Sequence, residues 1–271
     1  MNSREMKAFR KEIWNYYSKY RRDLPWRNTN NPYHILVSEI MLQQTQAHRV
    51  IPKYKEFISL FPSFTRLAQA PLSDVLRTWK GLGYSRRALY LKKIAESITA
   101  HHNKTLPRTR ETLESLPGIG PYTAGALLAF AYNLPAVCIE TNIRTVFIHF
   151  FFADKTTKVH DRDLLPLIEQ TIDKDSPREW YYALMDYGAL LKSKKTVPNT
   201  RSIHYKKQST FKGSNRELRS TLLSHILETP GIALSTLGKE TEKPVDHITK
   251  NLSAMEQEGL IKQKNKRYYI T

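Results

Sequence analysis

The chain has 271 residues, and its 43 Lys and Arg outweigh 25 Asp and Glu to leave a formal charge of +18. A field of that sign attracts polyanions, so nucleic acid is the first partner to expect. One cysteine, Cys138, excludes a disulfide framework and a Cys-rich metal site within this sequence. No apolar run approaches the ~18 residues of a membrane span, and the opening MNSREMKAFRKEIW has no signal-type apolar stretch. The expectation is an intracellular, cytoplasmic protein without a membrane partner.

Residues 1–190 read as a succession of helices. Apolar positions recur at three- and four-residue spacing in 6–20, 33–46, 50–60, 86–99 and 122–132, with little strand-type alternation between them. Pro62, Pro71, Gly81, Gly83, Pro107, Pro117 and Pro135 punctuate the joints. The spacing predicts an all-α core over 1–191. The stretch 192–214, KSKKTVPNTRSIHYKKQSTFKGS, is polar, basic and poor in aliphatic residues, and reads as a linker or extended arm. Contact with phosphates and a role as a solvated tether both remain open for it. Further helices are predicted over 215–228, 234–239 and 245–259, and LIKQKNKRYYIT reads as two short strands around Lys264-Asn265-Lys266. Three helices and a β-hairpin over 215–271 resemble a small α+β winged helix-turn-helix domain, whose third helix commonly enters a DNA groove. Lys243, His247, Lys250 and Asn251 suit that use, with docking to another protein as the alternative.

Three local patterns point to chemistry. In Leu116-Pro117-Gly118-Ile119-Gly120-Pro121-Tyr122 an apolar segment ends, two glycines turn the chain and a new helix begins. Glycines allow close approach of backbone to a ligand, and amides at a helix N-terminus suit a phosphate, so Gly118, Ile119 and Gly120 form a candidate backbone clamp. About twenty residues on comes Ile139-Glu140-Thr141-Asn142. A carboxylate there can stabilise the positive charge that builds on a sugar as its base departs, although an acid favoured by the start of a helix fits the same position. Glu39 lies among Leu36, Val37, Ile40 and Met41, with Gln43 and Gln46 expected on the same helical face. Burial among such neighbours raises a carboxyl pKa and suits it to protonate a leaving base. A structural Glu paired with an arginine is the alternative. Glutamines can bond base edges or fill the gap left by a flipped nucleotide.

Five stretches in order resemble the adenine DNA glycosylase (MutY) family of the endonuclease III, or helix-hairpin-helix, superfamily. They are Arg22-Asp23-Leu24-Pro25-Trp26-Arg27, residues 38–46, Trp79-Lys80-Gly81-Leu82-Gly83-Tyr84, the hairpin, and Met185-Asp186-Tyr187-Gly188-Ala189. The resemblance implies a two-lobed all-α glycosylase core that flips a mispaired base from duplex DNA and hydrolyses its bond to the sugar. It implies that Glu39 protonates adenine at N7, that Tyr122 lies beside the acid and the sugar, and that Asn142 supports catalysis. It also implies that Trp26, Gln44, Leu82 and Tyr84 touch the flipped base or wedge into the duplex. Arg27, Gln43 and the hairpin residues complete the candidate DNA-binding set. No metal and no other cofactor is expected, and the protein is expected to be a monomer. Bifunctional relatives carry a lysine where Tyr122 stands, so base hydrolysis without efficient strand cleavage is expected.

Three features depart from the family pattern. Glu140 replaces an Asp, and the extra methylene moves a carboxylate by roughly 1.5 Å, a displacement that can cost about 100-fold in rate. From Lys192 onward there is no cysteine, so a cluster-free variant is expected. The C-terminus is a short module where many members have a Nudix-like domain, and Ser85 stands where a second tyrosine is common. Two rival readings follow: a glycosylase for mispaired thymine or uracil or another damaged base, and a catalytically silent DNA-binding protein.

Overall fold

The computed structural model describes residues 3–153 and 157–271. Helix α1 (Ser3–Tyr20) follows from Phe9, Ile13 and Tyr17, spaced by four to bury one stripe. There follow α2 (Pro32–Leu42), α3 (Ala47–Leu60), α4 (Phe64–Gln69), α5 (Leu72–Trp79), α6 (Arg86–His101) and α7 (Arg110–Glu114). Then come α8 (Pro121–Tyr132), α9 (Thr141–Phe151), α10 (Asp161–Thr171) and α11 (Pro177–Ser193). The C-terminal region holds α12 (Asn215–Glu228), β1 (Ile232–Ala233), α13 (Leu234–Thr241), α14 (Val245–Gln257), β2 (Ile261–Lys264) and β3 (Arg267–Ile270). The chain is therefore helical with one small antiparallel sheet, ordered β1-β3-β2. Ile261 pairs with Ile270 and Lys264 with Arg267, which leaves Asn265 and Lys266 as a two-residue turn with φ of +52° and +59°. Positive φ at both central residues is what a tight hairpin of this twist requires. Among the described residues no helix is long and apolar enough to cross a membrane.

Two compact units divide the chain. The first comprises 1–39, 107–115 and 119–207, and the second 40–106, 116–118 and 208–271. In the first, α11 packs against α1, α8 and α9. Phe9 meets Phe147, Phe150, Phe151 and Trp180 edge-on, with ring centroids 4.9–5.8 Å apart. Asp186 of α11 ties the loop after α1 to this core: its two oxygens accept from both terminal nitrogens of Arg27 at 2.8 Å, and Arg22 donates to it from backbone and side chain. The Arg27 guanidinium also lies 4.4 Å from the ring centroid of Tyr182. Burial alone raises the Asp186 pKa, but the Arg27 hydrogen bonds and charge, with Arg22, outweigh it and hold the carboxyl below its ordinary value.

In the second unit α4 and α5 pack on α6, and the C-terminal helices cluster with them. Arg77 donates to the Leu227 carbonyl at 3.0 Å, Lys80 meets Glu228 at 3.0 Å, and Arg219 pairs with Glu258. Helix α2 ends at Leu42, four residues short of the expected 46. The reason is Arg87, whose guanidinium takes the carbonyls of Ile40, Met41 and Gln43, and also those of Leu82 and Gly83. Capped in this way, the carbonyls at the helix end need no further turn. Gln44 then reverses the chain at φ +56°, and Gln46 stands at the N-cap position of α3 without a side-chain capping bond. Gln43 and Gln46 accordingly do not continue the helical face of Glu39. The stretch expected to be a linker or extended arm is partly pinned, because Val159 donates its backbone N–H to the Arg201 carbonyl at 2.8 Å and its own carbonyl accepts from the Ile203 N–H at 3.2 Å.

Replacing one partner of a buried ion pair leaves the other charge without compensation. Asp186→Ala is therefore expected to lower stability by about 3–5 kcal/mol, read from the midpoint of urea unfolding at constant m.

Candidate active site

Four side chains of the first unit converge. Helix α8 is apolar on every side and buried from Thr123 to Ala131, which fixes Tyr122 in its first turn. The helix stops at Asn133, in the left-handed conformation that ends helices. An extended segment then leads to Glu140. Arg110 holds both approaches, donating to the carbonyls of Pro121 at 3.0 Å and Val137 at 2.8 Å.

Glu140 is the N-cap of α9. Its Oε1 accepts from the backbone amides of Asn142 at 2.7 Å and Ile143 at 3.0 Å, and its Oε2 from the Asn142 side-chain amide at 3.2 Å. Asp, shorter by one methylene, is among the residues preferred for such a cap. Here the longer side chain is held back against the first turn of the helix. Lys192, near the end of α11, donates to Asn142 Oδ1 at 2.7 Å.

Glu39, 7% exposed, accepts a hydrogen bond from the Tyr122 hydroxyl at 3.3 Å. Burial pushes its carboxyl up to about 7; the Tyr122 hydrogen bond opposes this and the charge of Glu140 adds to it. No arginine pairs with it in the hydrogen bonds and ion pairs of the described residues, so the structural ion-pair alternative does not apply. Burial likewise raises the Tyr122 phenol and the Cys138 thiol, with Glu39 and Glu140 adding to both shifts. The site thus sets a carboxyl able to carry a proton near neutrality close to a second carboxyl fixed by a helix N-terminus. Two neighbouring carboxyls are thereby placed in different environments, one buried and one bonded to a helix start. Among the described residues no three His, Cys, Asp or Glu are grouped to hold a metal ion.

Residues 37–170 match the HhH-GPD superfamily of base excision DNA repair proteins. The adenine DNA glycosylase of Buchnera aphidicola subsp. Baizongia pistaciae is 38% identical over 185 residues, 68% of this chain and 53% of that protein. The Mycobacterium tuberculosis adenine DNA glycosylase is 38% identical over 184 residues, 67% of this chain and 60% of that protein. The chain therefore spans little more than half the length of these relatives. A solved thermostable thymine-DNA glycosylase is 28% identical with a TM-score of 0.62, over 69% of this chain and 87% of that one. The chain belongs to the HhH-GPD superfamily.

In this HhH-GPD chain the hairpin between α7 and α8 has Gly118 at φ +78°, where an added Cβ would run into the Tyr90 ring. Gly120 is the N-cap of α8 and Pro121 its first residue, so the first amides of the helix have no intrahelical acceptor. The Ile119 side chain is buried, which leaves its backbone as the part available to the clamp. Trp26 and Arg27, expected at DNA, are buried, and the Arg27 guanidinium is committed to Asp186. Leu82, expected to touch the flipped base or wedge into the duplex, is also buried. Gln43, Gln44 and Tyr84 retain exposed surface and line a cavity of about 460 Å³ in the second unit. Tyr84, at φ +50°, receives hydrogen bonds on its hydroxyl from Arg216 at 3.1 Å and Gln208. Lys192 was read from the sequence only as the start of a basic arm. The signal that it belongs to the site is its place four residues after Gly188, on the same helical face.

Because the Tyr122 hydrogen bond lowers the Glu39 pKa, Tyr122→Phe should move it upward from about 7. Carboxyl-selective ¹³C NMR across a pH series reads both values, and a Glu39 resonance titrating near 4.5 would contradict the burial argument.

Proposed function

We propose that the protein is a monofunctional DNA glycosylase that removes mispaired adenine from duplex DNA. The observation that carries this reading is the pairing of buried Glu39, raised to about 7, with helix-capping Glu140. Glu39 gives its proton to the departing base, which leaves with the electrons of the glycosidic bond. Glu140 stabilises the cationic sugar that remains, and water adds to the anomeric carbon and loses a proton. Tyr122 holds Glu39 through its hydroxyl and cannot form a Schiff base, so strand cleavage is not part of the reaction. Asn142 donates to the outer oxygen of Glu140. Gly118 and Gly120 offer backbone amides to phosphate, and Gln43, Gln44 and Tyr84 are the polar surface for the duplex.

Residues 1–191 form the glycosylase core in this proposal, 192–214 a basic connector, and 215–271 a winged helix-turn-helix. Three helices and a three-stranded sheet support the last assignment. Lys243, His247 and Lys250 are exposed as a groove-binding surface needs, whereas Asn251 is buried and donates to the His247 carbonyl. The protein acts as a monomer on DNA in the cytoplasm, and it needs no metal or cofactor for hydrolysis. One observation favours a second reading, with thymine opposite guanine as the substrate: the likeness to the thymine-DNA glycosylase covers most of that chain.

Single-turnover excision on short duplexes carrying A opposite 8-oxoguanine, A opposite G, T opposite G or U opposite G decides between them. Adenine release is expected, lost in Glu140→Gln and slowed about 100- to 10,000-fold in Glu39→Gln. The acid must be protonated, so the rate should fall about tenfold per pH unit above about 7. Release of thymine alone would establish the second reading. No release from any duplex, with tight binding retained, would leave the silent binder.

A further inference from the structure

Lys192 lies one helical turn beyond Gly188 on α11. Gly188 lets that helix sit directly on the start of α9, since an added Cβ would come within 2.7 Å of the Asn142 Cβ. From there the Lys192 ammonium reaches Asn142 Oδ1 at 2.7 Å. An ammonium only donates, so it meets the carbonyl end of the amide and turns the amino end away. That amino end faces Glu140 Oε2, which accepts from it at 3.2 Å. The other oxygen, Oε1, is held by two backbone amides of α9. An Asn side chain has two nearly isosteric orientations, and the flipped one would set Oδ1 against the Glu140 carboxylate. Lys192 removes that choice. The charged groups facing it are Glu140 and Arg144, with opposite effects, and burial lowers its pKa.

We propose that Lys192 is a positioning residue: it locks the Asn142 amide with Nδ2 toward Glu140 and so holds the carboxylate oriented for the cationic sugar. The proposal rests on the reading of Glu140 as the group that stabilises this sugar. It also assigns a role to the first residue of the segment that lacks the family's cysteines. The ammonium acts through the amide and not on the substrate.

The test compares Lys192→Met, Lys192→Arg, Asn142→Ala, the Lys192→Met/Asn142→Ala double variant and Glu140→Gln. Single-turnover excision of A opposite 8-oxoguanine is measured beside duplex affinity and thermal unfolding. Lys192→Met is expected to slow the chemical step roughly tenfold, as the loss of one charge-assisted hydrogen bond implies, with duplex affinity unchanged. Lys192→Arg should recover most of the rate. The double variant should be no slower than Asn142→Ala, because both changes break the same link. If Lys192→Met loses its cooperative unfolding transition, Lys192→Gln, which keeps a donor without the charge, replaces it; most of the wild-type rate is then expected, and a rate as low as that of Asn142→Ala overturns the proposal. Wild-type rate in Lys192→Met with an inactive Glu140→Gln overturns the proposal alone, as do multiplied losses in the double variant. A fully active Glu140→Gln overturns the reading of Glu140 and the proposal with it.

Discussion

The first turn of α9 holds one carboxylate, and the candidate site is arranged around that bond. Helix N-termini present amides without intrahelical acceptors, and Glu140 satisfies two of them with a single oxygen. Tethering of this kind orders a side chain before any charge develops beside it, which is the preorganisation that electrostatic stabilisation requires. The fixed anion also acts on its surroundings. It helps to keep Glu39 protonated toward neutrality and adds to the upward shifts of Tyr122 and Cys138. A bond that first serves local helix stability thus adds to the shifts that burial imposes on the neighbouring groups.

Arginines fasten the scaffold from inside. Arg87 gathers carbonyls from the end of α2 and from the loop at Leu82 and Gly83, two stretches that three helices separate along the chain. Arg27 does the same for the loop after α1 through Asp186. A planar fork of donors suits this work better than a lysine, because several bonds form for one ordered side chain. Part of the large positive charge is therefore structural, and the charge available to a polyanion is smaller than the composition suggests.

The helical plan was legible wherever apolar spacing was regular. The helix over 215–228 matches in both bounds, and the turn at Asn265 and Lys266 follows from polar residues between two short apolar runs. The end of α2 was not legible. Leu42-Gln43-Gln44-Thr45 contains no helix breaker, and the residue that stops the helix, Arg87, lies more than forty positions away. The same distance problem hid the burial of Trp26, Arg27 and Leu82. For Arg27 it is Asp186, far along the chain, that shows where the guanidinium is committed. Glu39, Tyr122, Glu140 and Asn142 were readable because each sits in a distinctive local pattern, and the structure brings them together. Lys192 carried no such pattern, since its role comes from a helix packing on Gly188.

Cys138, the one cysteine of the sequence, lies two residues before Glu140 and is buried with its proton held by its surroundings. Thiol reagents attack the thiolate, so the folded protein presents them with no target. Modification then proceeds only through molecules in which the segment between α8 and α9 has opened. The sulfur is a built-in clock for fluctuations of this extended segment, and its alkylation rate measures how often the segment leaves its place.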